Sequence, residues 1–126
     1  MSLESARPVA FVNVKSRDEG LAFYRDTLGL ESISTDDFGD FLELGAGGLL
    51  RMTAMPDFQA GPHPVFGWDV DDIVAVAGDL KAKGLSLTIY EGMGQDEFGI
   101  WTAPDGRSKV AWLSDPFGNV LSLSQR

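Results

Sequence analysis

Val9-Ala10-Phe11-Val12-Asn13-Val14 and Val65-Phe66-Gly67-Trp68-Asp69-Val70 are the two runs on which the fold turns. Both are rich in β-branched and aromatic residues, and both read as strands. Each leads into a helical pattern. After the first run Ser16 stands as an N-cap with Glu19 in the capping-box position, Leu21, Tyr24 and Leu28 share one face, and Gly29 supplies the stop. After the second, Asp71 or Asp72 can cap. Ile73, Val76, Ala77 and Leu80 then make a buried stripe, Lys81 and Lys83 suit the negative end of the helix dipole, and Gly84 ends it.

The parallel continues outward. Gly29-Leu30 and Gly84-Leu85 each open an extended segment, and Gly48-Leu49-Leu50-Arg51-Met52-Thr53 is echoed by Asn119-Val120-Leu121-Ser122-Leu123-Ser124. Between these landmarks the first half carries strands near 30–35, 40–45 and 48–54. The second carries strands near 86–90, 98–102 and 108–114, with a last one at 119–124, and 91–97 is either a strand break or a loop. Asp105-Gly106 and Gly118-Asn119 supply turns. The proline- and glycine-bearing stretch 55–64 reads as a linker between a first module at about 8–55 and a second at about 65–125. The expected fold is α+β: two βαβββ modules in tandem within a single domain, forming a cup-shaped mixed sheet.

Composition narrows the possible functions. A chain of 126 residues with 44% hydrophobic content is long enough for one domain with a core. A formal net charge of −9 repels phosphate backbones and anionic membranes, so neither nucleic acid nor a membrane is expected as a partner. No apolar run approaches a membrane span, and the N-terminus lacks the pattern of a signal peptide. The absence of cysteine excludes disulfides and thiolate metal sites and fits a cytoplasmic location.

Three motifs, in order on this internal repeat, carry a resemblance. Leu21-Ala22-Phe23-Tyr24-Arg25-Asp26-Thr27-Leu28-Gly29-Leu30, Val70-Asp71-Asp72-Ile73, and Asp115-Pro116-Phe117-Gly118-Asn119-Val120-Leu121-Ser122-Leu123-Ser124-Gln125 resemble the vicinal-oxygen-chelate superfamily. This is the superfamily of glyoxalases, bleomycin resistance proteins and extradiol dioxygenases. The resemblance spans roughly residues 8 to 125 and implies a homodimer. It also implies one divalent metal in the cup of the enzymes, held by His, Glu or Gln from the first and last strand of each module. Those positions carry Val9, Arg51, Val65 and Ser122 here. Two valines offer no lone pair, arginine only donates, and serine alone is a poor ligand. The one histidine, His63, lies beside prolines and reads as a loop residue. Asp36, Asp37, Asp40 and Glu43 read as a solvated edge and turn rather than a cation site. No metal and no cofactor are therefore expected.

Strand alternation then lists what lines the cup. Phe11, Asn13, Gly67 and Asp69 go with Val9 and Val65, Leu49 and Thr53 with Arg51, and Val120 and Ser124 with Ser122. Arg51 either takes a carboxylate or phosphate through its planar fork, or pairs with Asp69 or Glu43. Trp68 faces the helix layer by parity, whereas Trp101 and Trp112 are candidate flat walls. Phe38 and Phe58 stand in loop-like stretches that can close over a ligand. Tyr90, Met93, Gln95 and Asp96 lie in a long glycine-bearing segment that suits a lid, a dimer contact or a solvent loop. The ligand-binding candidates are thus Arg51, Phe11, Asn13, Asp69, Tyr90, Met93, Gln95, Trp101, Trp112 and Ser122, with no catalytic residue singled out. The leading reading is a metal-independent protein that binds a small organic molecule, one that can be anionic. The alternatives are a divalent-metal-dependent lyase, isomerase or dioxygenase, and a non-catalytic interaction module.

Overall fold

The computed structural model describes residues 2–126. The chain divides into two compact units, the first ending at Ala60 and the second running Gly61–Arg126. In the first, a 3-10 turn at Leu3–Ser5 precedes β1 (Val9–Val14). Helix α1 (Arg17–Leu21) continues as a π-helical segment, Ala22–Thr27, and is followed by β2 (Ser32–Asp36), β3 (Gly39–Gly45) and β4 (Gly48–Ala54). The strands stand in the order β1-β4-β3-β2, with β1 parallel to β4 and the rest antiparallel. The second unit repeats the plan with β5 (Pro64–Asp69), α2 (Ile73–Ala82), β6 (Trp101–Thr102), β7 (Lys109–Ser114) and β8 (Val120–Gln125), ordered β5-β8-β7-β6. Two tandem βαβββ modules, each with a mixed four-stranded sheet, are the fold expected from the repeat.

Each helix covers one face of its own sheet. Gly20 of α1 sits so close to β1 and β4 that a Cβ there would lie 2.7 Å from Met52 Sδ and 3.2 Å from Val14 Cγ1. Phe23 and Tyr24, edge to face at 4.9 Å, are both buried. The i→i+5 bond from Leu28 N–H to Phe23 C=O, 2.8 Å, marks the π turn that contains them. In the second unit Ile73 and Leu80 bury with Ala111, Leu113, Leu121 and Leu123, as period-two strands under a period-3.6 stripe require.

Both N-caps form. Ser16 Oγ accepts from Glu19 N–H at 3.3 Å, and Asp72 Oδ1 accepts from Ala75 N–H at 3.1 Å. Gly29 and Gly84 end the helices at φ 83 and 85. Asp72→Ala is expected to cost about 1 kcal/mol, the usual loss of an Asp cap, read as a lower urea midpoint at unchanged slope. An unchanged midpoint would remove the cap from the account of α2.

The second unit departs from expectation between its helix and β7. The strand expected at 86–90 does not form, and the one at 98–102 shrinks to Trp101–Thr102. The backbone explains both. Gly92, Gly94 and Gly99 all take positive φ, which breaks extended pairing, and one bond, Thr88 N–H to Trp112 C=O at 2.7 Å, ties the segment to β7.

Candidate functional site

Because α1 and α2 each cover one sheet face, alternation leaves an open face on each sheet. In the first unit the register sets Phe11, Arg51 and Phe41 side by side across β1, β4 and β3. Val9–Leu49–Glu43 and Asn13–Thr53–Gly39 flank that row. Phe11 is 69% exposed, an unusual position for a phenylalanine in mid-strand. The Arg51 guanidinium lies over the Phe41 ring, 4.6 Å from its centroid, and its Nη1 is 3.5 Å from Asp36 Oδ2.

The partner of Arg51 corrects the sequence reading, which offered Asp69 or Glu43. Glu43 is taken by Arg7, and Asp69 by Arg126 at 2.8 Å. The acidic residues disperse in the same way. Asp40 is buried on the helix side, accepting from Arg17 Nε at 3.0 Å and Thr35 Oγ1 at 2.6 Å. Asp36 belongs to the β2–β3 turn. Its carboxylate is held below the usual range first by the Phe38 N–H; desolvation, the next largest effect, opposes this, and the Gly39 N–H and the Arg51 charge add to the lowering. It is therefore ionised at neutral pH and competes for Arg51 there.

The open face of the second sheet carries Ser122 between Gly67 and Trp112, and Ser124 between Asp69 and Val110. Trp101 pairs with Val110 and shares that face. Tyr90 meets Trp112 edge to face at 5.5 Å, so the long loop folds an aromatic ring onto the tryptophan. Met93 is exposed, its N–H donating to Tyr90 C=O at 3.2 Å. Gln95 is half-buried, and its amide holds the loop together. It accepts from Tyr90 N–H at 2.6 Å and donates to Thr88 and Gly99 C=O, both at 2.8 Å. Asp96 accepts from the N–H groups of Phe98 and Ile100, each at 2.9 Å. Trp68 lies on the helix side against Phe66, as parity requires. Phe38 is exposed at the tip of the β2–β3 turn.

The positions that the resemblance gives to a metal lie on these open faces as Val9, Arg51, Val65 and Ser122. That set does not fit a divalent cation, since its one neutral oxygen is a serine hydroxyl. Among the described residues no three of His, Asp and Glu come together as a metal-holding group.

The residue that sequence reasoning missed is Phe41, the platform under Arg51. The signal was present: the turn Gly45-Ala46-Gly47 lies midway between Phe41 and Arg51, so a hairpin centred there must pair them.

Comparison with known proteins agrees with this architecture. The sequence profile described as Glyoxalase/Bleomycin resistance protein/Dioxygenase superfamily matches residues 7–123. A glyoxalase/bleomycin resistance protein/dioxygenase from Alicyclobacillus acidocaldarius superposes with a TM-score of 0.74 at 18% identity, over 99% of this chain and 94% of that one. A lactoylglutathione lyase from Agrobacterium tumefaciens gives 0.67 at 21% identity, over 96% and 93%. The genomically encoded fosfomycin resistance protein FosX from Listeria monocytogenes gives 0.72 at 14% identity, over 97% and 93%. At these identities the likeness is one of fold. No match is found among curated protein sequences.

Proposed function

The chain belongs to the glyoxalase/bleomycin resistance protein/dioxygenase superfamily, and from that premise we propose that it binds a small organic anion, without a resident metal, on the open face of its first sheet. Arg51 carries the reading. Its guanidinium is stacked on Phe41, half-buried, and held by Asp36 only at the outer limit of a hydrogen bond, 3.5 Å. A carboxylate or phosphonate arriving in the plane of the fork makes two shorter, charge-assisted bonds in its place. Phe11, in the neighbouring strand position, offers apolar area to the rest of the ligand. No base or nucleophile is assigned, and the reading is stoichiometric binding rather than turnover. On the second sheet, Trp112 with Tyr90 makes an aromatic surface of the same kind.

The test is a screen of aromatic and aliphatic carboxylates and phosphonates by calorimetry. It is run on the native chain, Arg51→Ala and Arg51→Lys, beside elemental analysis after soaking with nickel, zinc, manganese and iron. A saturable anion is expected, weakened roughly 10-fold or more in Arg51→Ala, the worth of a charge-assisted bond. Lysine should restore only part of this, having no bidentate fork. Anions that bind Arg51→Ala as well as the native chain would defeat the proposal. Stoichiometric metal would favour the alternative, a divalent-metal-dependent lyase, isomerase or dioxygenase.

A further inference from the structure

Helix α2 presents two stripes. Ile73 and Leu80 are buried and Val76 is half-buried on the same side, while Ala77, expected in that buried stripe, joins Val74, Gly78 and Lys81 at the same i, i+3, i+4, i+7 spacing one position further round. The second stripe does not pack on the sheet. It forms one wall of a cleft of about 480 Å³. That is within the roughly 300–1,000 Å³ of small-molecule sites. The opposite wall is the segment after the helix, with Leu87, Ile89 and Phe98. Cleft and walls lie wholly within the second unit and on the helix side of its sheet, away from Ser122 and Trp112.

Three observations say that the cleft is built and that it takes a particular chemistry. First, Val74, Ile89 and Phe98 are 58%, 58% and 50% exposed and converge here, so an apolar surface is left wet at one place rather than scattered. Second, Gly78 occupies a helix interior, where glycine is unfavourable, yet a Cβ added there would meet no atom within 4 Å. Packing does not require this glycine, and it leaves the helix wall of the cleft without a side chain at that point. The far wall, in contrast, is closely fitted. Gly99 takes φ 91, and a Cβ there would stand 2.9 Å from Leu87 Cβ, so the glycine lets the Phe98 strip lie against 87–89. Third, the lining holds one cation, Lys81. Lys81 Nζ lies 5.9 Å from the centroid of the Phe98 ring, and among the described residues no carboxylate pairs with it. Glu97 is the other charged residue of the lining.

We propose that this cleft is a second ligand site, independent of Arg51, for an apolar molecule bearing one carboxylate, such as a medium-chain fatty acid. The chain lies along Val74, Ala77 and Gly78 against Leu87, Ile89 and Phe98, and the carboxylate meets Lys81.

The test uses octanoate and octanol as probes on the ¹⁵N-labelled full chain, following amide shifts residue by residue. Octanoate is expected to move Gly78, Lys81, Leu87 and Gly99 saturably, and to bind at least five-fold more tightly than octanol. Gly78→Met sets a long side chain on the helix wall and should abolish the shifts of Lys81, Leu87 and Gly99 while keeping a dispersed spectrum and a thermal midpoint at or above the native one. Lys81→Met should bring octanoate down to the affinity of octanol. Shifts confined to Arg51 and Phe41 would overturn the proposal, as would shifts that persist in Gly78→Met or an equal affinity for acid and alcohol. Because the readout is by residue, failure of the cleft and failure of the Arg51 site are separable.

Discussion

Asp115→Ala is expected to lower the stability of the protein by about 3 kcal/mol, the scale of breaking a buried, charge-assisted cluster rather than one exposed bond. Asp115 is 5% exposed. One carboxylate oxygen accepts from Phe117 N–H at 2.8 Å and Asn119 N–H at 2.9 Å, and the other accepts from Asn119 Nδ2 at 2.7 Å. The backbone closes the same turn, Asp115 N–H to Asn119 C=O at 2.9 Å, with Gly118 at φ 87. Alanine leaves donors of a buried turn without their acceptor, and water has little access to replace it. The turn sets the start of β8, which pairs with both β5 and β7, so the loss spreads through the second sheet. Asp115→Asn keeps one acceptor but sets an amide N–H₂ against the Asn119 amide, and should cost about half as much. Urea unfolding measures both, and a loss under about 0.5 kcal/mol for alanine would make the turn a bystander.

That turn was legible from the sequence because it is local. Asp115, Gly118 and Asn119 act within a few residues, as do the Ser16 and Asp72 caps and the Gly29 and Gly84 stops. Hydrophobic period and turn chemistry report such features directly. The repeat of Val9–Val14 in Val65–Val70 carried the rest of the architecture, since two similar βα starts in one chain imply two similar sheets. Where the reading failed, the deciding interaction was remote or depended on an irregular backbone. Residues 86–90 have the composition of a strand. They have no full ladder to join, because Gly92 and Gly94 turn the chain and Gln95 satisfies the backbone of Thr88 and Tyr90 in its place.

The candidate site divides along the same line. That Phe11, Asn13, Arg51 and Ser122 share open faces follows from alternation alone. That Arg51 meets Asp36 does not. It needs the register of β2 on β3 as well as that of β3 on β4, and β2 carries a register shift between Ser32 and Ser34. Compounding two registers from sequence, one of them irregular, gives no unique diagonal neighbour. Charge complementarity offered Glu43 and Asp69 instead, and both were already matched to other arginines, Arg7 and Arg126, that lie far from them in sequence.

Two identical substitutions are expected to act with opposite sign. Gly67→Ala should destabilise by about 3 kcal/mol, the upper part of the usual range for overpacking. A Cβ at Gly67 would fall 2.2 Å from the Ser122 carbonyl oxygen and 2.2 Å from Ser122 Oγ. The hydroxyl can rotate away. The carbonyl cannot, because it belongs to β8 within the parallel β5–β8 ladder, so the strands must separate where Gly67 pairs with Ser122. Gly78→Ala should stabilise by up to about 1 kcal/mol, since the helix interior gains the better helix former and the new methyl meets nothing. Both are read from urea midpoints at 25 °C. Ser122→Gly in the Gly67→Ala background separates the two clashes: it removes the hydroxyl, and if stability then returns, the backbone contact was not the cause. If it does not return, the close approach of β5 to β8 fixes glycine at 67.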